Sequence, residues 1–180
     1  MLDIQRISKT FNPGTVNEKK AITDLSLHLN KGEFVTVIGS NGAGKSTLFN
    51  AIAGSFYVDA GAITVGGHNM TFLPEYKRAK RIGRLFQDPL KGTAPNMTIE
   101  ENLIAVRLDQ PPFTKGIMMN KSGQDTYAKE MVEQFDIRPA DYSLPTSSLS
   151  GGNAQKVVVA REVSLGNKLL VASQPTRGVD

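Results

Sequence analysis

Apolar and polar residues alternate in the first part of the chain, in a pattern typical of half-buried β-strands. The pattern covers Leu2–Ser8, is strict over Leu25–Leu29 and returns at Ala62–Val65. A short β-branched run over Phe34–Ile38 breaks this alternation and predicts a strand that is buried on both faces. The N-terminal part of the chain is therefore predicted to be rich in strands.

Helical patterns are interleaved with these strands and dominate the middle of the chain. Ser46–Ala53 is predicted to be a helix, and Asp125–Phe135 has the apolar stripe of an amphipathic helix. Thr98 has Glu101 three residues further on, which is the spacing of a capping box and predicts a helix start. Strands that alternate with helices favour an α/β fold, here with a helical insertion at about residues 95–146.

Composition narrows the class of protein. The chain has 180 residues, of which 39% are hydrophobic and 21% charged, as in an ordinary globular protein. It has no cysteine, which excludes disulfides, Cys-based metal sites and a Cys nucleophile. The net charge of +4 is mild, and the dense basic run Lys77–Arg81 is typical of a solvated helix face. We therefore expect no nucleic-acid partner.

The sequence carries no hydrophobic targeting or membrane segment. No apolar run approaches the ~20 residues that are needed to cross a bilayer. The first residues also lack the basic and then apolar layout of a signal peptide. We expect a cytoplasmic protein that reaches a membrane only through a partner.

A glycine-rich loop follows the run Phe34–Ile38 and matches the pattern G-x-x-x-x-G-K-[ST]. With the residue after it, the loop comprises Gly39, Ser40, Asn41, Gly42, Ala43, Gly44, Lys45, Ser46 and Thr47. Glycines let the backbone approach phosphate oxygens, and successive N–H groups at a helix N-terminus bind anions. Lys45 would place a cation on the β- and γ-phosphates, and Ser46 would offer its hydroxyl to Mg²⁺. The pattern predicts a site for nucleotide phosphates and Mg²⁺ rather than a turn with a chance Lys-Ser pair. The loop alone names only a large class, because kinases, GTPases, recombinases and transporters all use it.

A second glycine-rich helix start lies near the C-terminal end of the chain. Ser150, Gly151 and Gly152 precede a helical run over Ala154–Leu165. Such a helix N-terminus is a second place where an anion can bind. A helix that is simply capped by a serine explains the same residues, and both interpretations stay open at this point.

Taken in order along the chain, these motifs resemble those of the ATP-binding cassettes of ABC transporters. Gly39–Thr47 matches the Walker A loop of that family, and Leu149–Lys156 matches its signature motif. Gln87 matches the Q-loop glutamine, and Phe11 lies where the family has an aromatic residue that stacks on adenine. Gly178–Asp180 matches the D-loop. The resemblance covers essentially the whole chain.

The resemblance implies a RecA-like P-loop NTPase core with an antiparallel β subdomain and a helical insertion. The α/β core would comprise residues 1–94 and 147–180, and the helical subdomain about residues 95–146. Two cassettes, in a homodimer or heterodimer, would pair head to tail, so that Ser150, Gly151 and Gly152 serve the partner's ATP. Gln87 would sense Mg²⁺ and the γ-phosphate and would couple to membrane-spanning permease subunits. The protein would then lie on the inner face of the cell membrane.

Two features depart from the family pattern. After the predicted strand Leu169–Ala172, the family usually has an Asp that steers Mg²⁺ and a Glu that polarises water, and here Ser173 and Gln174 stand instead. Gln174 can hydrogen-bond water but cannot act as a base, and loss of a positioned base costs about 10²–10⁴-fold. With Gln87 and Gln174 at the catalytic positions, we expect ATP binding with poor hydrolysis. The chain also ends at Asp180, which predicts a cassette that is truncated at its C-terminus.

The resemblance differs between the two ends of the chain. Up to about Glu101 it is to importers of amino acids or of tryptophan and tyrosine. From about Phe135 it is to the second cassette of nucleoside or simple-sugar importers, so a chimera and a divergent relative both stay open. Two further hypotheses are a hydrolysis-deficient nucleotide-binding fragment and a soluble ABC-type ATPase without a role in transport.

Overall fold

The computed structural model describes residues 1–173. These form two compact units, one with residues 1–84 and 167–171 and the other with residues 85–166 and 172–173. Gln174 and the D-loop match Gly178–Asp180 lie outside the described residues. The division into an α/β core and a helical subdomain at about residues 95–146 stays a prediction.

The first unit is built on an antiparallel sheet of four strands in the order β2-β1-β3-β4. The strands are β1 (Leu2–Phe11), β2 (Lys19–Leu29), β3 (Ala60–Val65) and β4 (His68–Asn69). In the central pairings, Leu2 lies opposite Leu29 on one side and Val65 on the other. The alternation over Leu2–Ser8, Leu25–Leu29 and Ala62–Val65 therefore predicted the strands correctly, although the strands extend beyond it.

An irregularity in β1 explains why its buried residues do not keep a strict period of two. The register to β2 shifts between Ile4 and Ile7, and Arg6 has a positive φ of 48°. An extra residue of this kind, a β-bulge, changes which face the following side chains occupy. Ile4 and Ile7 can therefore both enter the core although they are three residues apart.

The first helix, α1 (Lys45–Ala53), packs its Leu48 and Ile52 into the core of this sheet. It ends at Gly54, which has φ of 91° and so takes the left-handed conformation that glycine adopts at little cost. A Cβ at Gly54 would lie 2.6 Å from Nε of Arg78, so this position also has no room for a side chain. Arg78 belongs to the short helix α2 (Glu75–Arg78).

The prediction of a doubly buried strand at Phe34–Ile38 is wrong for the described structure. The run forms no strand, and Phe34 and Ile38 are 93% and 89% exposed. Strand propensity is realised only beside a neighbour that completes the hydrogen-bond ladder. β5 (Ile82–Leu85) and β8 (Leu169–Ala172) pair with each other as a separate two-stranded sheet. Within residues 1–173, no strand pairs with the run Phe34–Ile38.

The second unit is mainly helical. It contains α3 (Ile99–Ile104), α4 (Lys121–Gln134) and α5 (Gly151–Ser164), with a small hairpin of β6 (Thr114–Lys115) and β7 (Met118–Met119). The helices bury one apolar cluster of their own, which comprises Ile99, Leu103, Ile104, Phe113, Ala128, Met131, Val132, Ile137, Val157 and Ala160. The helical patterns predicted α4 correctly, but the hairpin carried no clear signal because its strands have two residues each.

The start of α3 confirms the predicted capping box. The Thr98 hydroxyl accepts a hydrogen bond from the backbone N–H of Glu101 at 3.1 Å, and the Glu101 carboxylate accepts one from the N–H of Thr98 at 2.8 Å. Nearby, the buried Asn102 exchanges two hydrogen bonds with the backbone of Ala94. These contacts fix the loop that leads into α3.

Candidate functional site

The glycine-rich loop lies directly before α1, as the motif requires. Its last glycine, Gly44, has φ of 89° and lies so close to β2 that a Cβ would be 3.1 Å from the carbonyl oxygen of Ala21. A residue with a side chain would be strained there both by its backbone and by this approach. The loop therefore needs glycine at this position to keep its path against the sheet.

The N-terminus of α1 is free of the groups that would compete with an anion. Gly44 provides no side-chain cap, and the first turn of α1 contains no acidic residue. The first N–H groups of a helix have no intrahelical partner, and the helix dipole makes this end positive. Ser46 in this first turn is exposed. The arrangement favours phosphate at this end of the helix.

Lys45 is folded across the loop that precedes it. Its ammonium group donates hydrogen bonds to the carbonyl oxygens of Gly39 at 2.6 Å and Ser40 at 2.8 Å. An ammonium group has three donors, so two are occupied by the loop in this conformation. The positive charge is therefore held at the mouth of the loop, beside the uncapped helix end.

Two buried or half-buried arginines fix the other end of α1. Arg78 is 1% exposed, and its guanidinium donates to the carbonyls of Ala51 and Ile52 at 2.8 and 2.9 Å. Arg84 on β5 hydrogen-bonds the side chain of Asn50 on α1 and forms an ion pair with Glu75 at 2.9 Å. Both positive groups lie at the negative end of the helix dipole, and Arg78 satisfies carbonyls in its last turn. Sequence patterns gave no signal for either contact, because the partners are brought together by packing.

Phe11 lies at the end of β1, opposite Lys19 of β2. Lys19 is two residues from Ala21, the residue that touches Gly44 of the loop. Two residues along a strand span about 7 Å. Phe11 and the glycine-rich loop therefore lie in the same unit, and the β2 residues next to each are about 7 Å apart along the strand.

The second glycine-rich helix start has its own set of contacts. Ser150 is the N-cap of α5, and its hydroxyl oxygen accepts from the backbone N–H of Asn153 at 3.4 Å and from its side-chain amide at 3.1 Å. The side-chain amide oxygen (Oδ1) of Asn153 accepts from the backbone N–H of Arg138 at 2.7 Å. Gly151 is exposed, and a Cβ there would meet nothing within 4 Å. The serine cap is thus present, and the open approach that an anion needs is present with it.

The loop before α5 carries a cluster of opposite charges. Asp136 accepts from Arg138 Nε at 2.8 Å and from Lys156 Nζ at 3.4 Å. The hydrogen bond from Arg138, followed by that from Lys156, holds the pKa of the Asp136 carboxyl below its ordinary value. The Lys156 ammonium also donates to the Asp136 backbone carbonyl at 2.8 Å. These contacts tie the first turns of α5 to the preceding loop.

The remaining candidate residues lie on the second unit. Gln87 follows β5 by two residues and is exposed. Ser173 follows β8, and its backbone N–H donates to the carbonyl of Leu85 at 3.0 Å. Among residues 1–173, no group of three or more His, Cys, Asp or Glu side chains is arranged to hold a metal ion.

Comparison with known proteins identifies the group to which these features belong. The family profile described as ABC transporter matches residues 22–177. Nucleoside import ATP-binding protein NupA of Lactococcus lactis is 36% identical over 100% of this chain and 35% of its own length. Tyrosine transport ATP-binding protein of Clostridioides difficile is 35% identical over 100% of this chain and 71% of its own length. This chain thus spans about a third of the first relative and less than three quarters of the second.

The solved structures that match are of the same kind. The dimeric, post-hydrolysis structure of the ATP-binding cassette MJ0796 with ADP and Pi has a TM-score of 0.83 and 25% identity. The match covers 100% of this chain and 76% of that chain. It confirms the expected RecA-like P-loop fold. The nucleoside-type and tyrosine-type relatives each match over the full chain with nearly equal identity, which does not support a chimera.

Proposed function

The chain belongs to the ABC transporter family of ATP-binding proteins. We propose that it binds ATP at Gly39–Thr47 and that binding and hydrolysis of this ATP are coupled to the transport of a substrate across a membrane. The observation that carries the proposal is the loop itself: Lys45 lies across it, and the helix behind it has a free positive end. Charge-assisted hydrogen bonds from a lysine and from helix N–H groups suit a triphosphate. On ATP binding, the Lys45 ammonium would exchange loop carbonyls for phosphate oxygens.

The residues at the loop also fit Mg²⁺. This ion prefers oxygen ligands and usually keeps several waters while it bridges substrate phosphates, so it needs few protein donors. The exposed hydroxyl of Ser46 is the donor that we assign to it at the loop, and a role of Gln87 toward the ion stays a prediction from the family resemblance. When bound, Mg²⁺ would neutralise charge on the β- and γ-phosphates. Phe11 would stack on the adenine ring.

We assign the second helix start to the nucleotide of a partner cassette. Ser150, Gly151 and Gly152 present an open helix N-terminus whose first turn contains no acidic residue. MJ0796 forms a dimer in its solved structures, which supports a pair of cassettes here. In a head-to-tail pair, each ATP would lie between the glycine-rich loop of one chain and Ser150 of the other.

The transport role requires membrane-spanning permease subunits as further partners. Among the described residues, none of the helices is long and apolar enough to cross a bilayer. Relatives are named for import of nucleosides, for transport of tyrosine and for lipopolysaccharide export. We propose that this chain docks on the cytoplasmic face of such a permease through the region of Gln87.

We propose that the chain hydrolyses ATP slowly. Ser173 and Gln174 replace the two carboxylates that the family usually has after this strand. A neutral hydroxyl and a neutral amide can hydrogen-bond water, but neither can accept its proton as a general base. ATP binding would then be the dominant event at this site.

Isothermal titration of the chain with ATP and Mg²⁺ tests the binding proposal. We expect Lys45→Ala to raise the Kd for ATP by about tenfold to a hundredfold, because a hydrogen bond to a charged group contributes about 1.5–3 kcal/mol. Lys129→Ala, which removes an exposed lysine from α4, is the matched control and should leave the Kd unchanged. Equal affinity of the wild type and of Lys45→Ala would contradict the proposed site.

A further inference from the structure

A small cluster of side chains lies against Phe11 and has no assigned role. The ring of Phe56 contacts the ring of Phe11 edge-on, with centroids 5.1 Å apart and planes inclined by 82°. The ammonium of Lys9 lies over both rings, 5.6 Å from the centroid of Phe11 and 5.7 Å from that of Phe56. Phe56 follows α1 and also packs against the core of the first unit.

Asp59 links this cluster to the end of β1. Its carboxylate accepts from Lys9 Nζ at 2.7 Å and from the backbone N–H of Thr10 at 2.7 Å. The backbone N–H of Asp59 donates to the carbonyl of Ser8 at 2.8 Å. The Lys9 side chain is 17% exposed, so its ammonium is partly desolvated and held in place. The last residues of β1 are therefore fixed up to Phe11.

Phe56 and Lys9 both contact the ring of Phe11 and restrict its orientation. Edge-to-face aromatic pairs have a preferred geometry and stabilise it beyond the burial of their area. A cation over a ring face adds a further attraction on that face. Because Lys9 lies over one face of Phe11, a base that stacks on Phe11 would take the other face and would meet a ring that these contacts hold.

We propose that Phe56, with the Lys9–Asp59 pair behind it, is a positioning residue that holds the Phe11 ring in the orientation needed to stack on the adenine of ATP. The inference rests on the proposed function, since it assumes that Phe11 contacts the base of a nucleotide whose phosphates lie at Gly39–Thr47. Phe56 acts through Phe11 and itself touches neither base nor phosphate. Pre-orienting a side chain strengthens binding because less conformational freedom is lost when the ligand arrives.

Comparison of two ligands separates this role from a structural one. ATP carries both a base and a triphosphate, whereas inorganic tripolyphosphate carries the phosphates alone. Titration of the 180-residue chain with each ligand and Mg²⁺ gives a ratio of Kd values that reports the contribution of the base. Base–aromatic stacking is worth about 1–3 kcal/mol, so loss of part of it should change the Kd for ATP by about fivefold or more.

We expect Phe56→Leu to raise the Kd for ATP by about fivefold and to change the Kd for tripolyphosphate by less than about twofold. Phe49→Leu is the matched control, because Phe49 is also half-buried and packs against the same core cluster from α1. It should lower the thermal midpoint to a similar extent and leave the ratio of the two Kd values unchanged. The thermal midpoint of each variant verifies that the chain is folded.

A double-variant cycle completes the test. If Phe56 acts through Phe11, then Phe11→Leu with Phe56→Leu should weaken ATP binding no more than Phe11→Leu does alone. Additive losses, an equal loss for ATP and tripolyphosphate, or an unchanged Kd for ATP in Phe56→Leu would each overturn the inference. If the wild-type chain bound neither ligand, the proposed function would fail and the inference with it.

Discussion

Arg78 shows how a single buried residue fixes the C-terminal end of α1, the helix that follows the glycine-rich loop. Its guanidinium donates to the carbonyls of Thr71 and Leu73 as well as to those at the end of α1, all at 2.8–2.9 Å. Burial lowers the pKa of Arg78, but an arginine keeps its charge at any ordinary pH. Its partners are backbone dipoles, which let a buried charge be satisfied by hydrogen bonds.

Replacement of Arg78 by methionine should destabilise the first unit. Methionine fills part of the volume but leaves several buried carbonyls without donors, and each such group costs about 1–3 kcal/mol. We expect the free energy of unfolding to fall by about 3 kcal/mol or more in urea titrations. Lys77→Met, on the exposed side of the same short helix, should change it by less than about 0.5 kcal/mol. Similar losses in the two variants would contradict this account of Arg78.

At the scale of elements, sequence patterns predicted correctly those features that depend only on residues close in sequence. The capping box at Thr98 and the helix Ser46–Ala53 depend on neighbours within a few residues, and both predictions were confirmed. Phe34–Ile38 depends on strands from elsewhere in the chain, and its prediction was wrong. Propensity describes what a segment prefers, whereas a strand also needs a partner beside it.

The capping box gives a direct prediction for α3. Thr98→Ala removes the acceptor for the N–H of Glu101, and loss of an N-cap of this kind costs about 1 kcal/mol. Thr126→Ala is a suitable control, because Thr126 is an exposed threonine inside α4 whose hydroxyl bonds back to the Ser122 carbonyl. It should change stability by less than about 0.5 kcal/mol. Chemical denaturation of the two variants measures the difference, and equal effects would argue against the cap.

The charges before α5 predict a dependence of stability on pH. The pKa of Asp136 is lower in the folded chain than its ordinary value of 3.8, so the carboxylate stabilises the fold above that value. This contribution is lost as the pH falls through the lowered pKa. Asp136→Asn should therefore have a lower thermal midpoint than the wild type at about pH 6, and the difference should shrink as the pH falls below 3.8.

Asparagine is a matched replacement at this position because Asp136 has a positive φ of 47°, which asparagine also tolerates. The side chain of Asp136 is largely exposed, so added salt should reduce the difference at about pH 6. A difference between the variants that persists unchanged at about pH 3 would exclude the carboxylate charge as its cause.

At the scale of the whole molecule, the sequence predicted the candidate site through motifs and not through geometry. The loop Gly39–Thr47 could be predicted from sequence because its glycines, its lysine and the helix after it form one continuous segment. The support behind Phe11 could not be predicted in this way, because Lys9 and Asp59 lie fifty positions apart and meet through sheet pairing. The roles of Gln87 and Ser150 depend on partners and stay predictions.

The residues after β8 give a prediction for the activity of the chain as a whole. Ser173→Asp combined with Gln174→Glu would restore a metal-steering carboxylate and a base. We expect release of phosphate from ATP to increase by about 10²-fold or more, because that is the usual contribution of a positioned base. Binding affinity for ATP should change much less. An unchanged rate in the double variant would show that these carboxylates are not what limits hydrolysis.

The most direct test of the central claim is a single-turnover measurement with the wild-type chain in excess over labelled ATP and Mg²⁺. Bound nucleotide and released phosphate are followed in the same sample, and Lys45→Ala reports any contaminating ATPase. We expect the wild type to retain intact ATP, Lys45→Ala to retain little, and phosphate to appear slowly in both. Phosphate release on the order of 1 s⁻¹ or faster from the wild type, or no retained ATP, would contradict that claim.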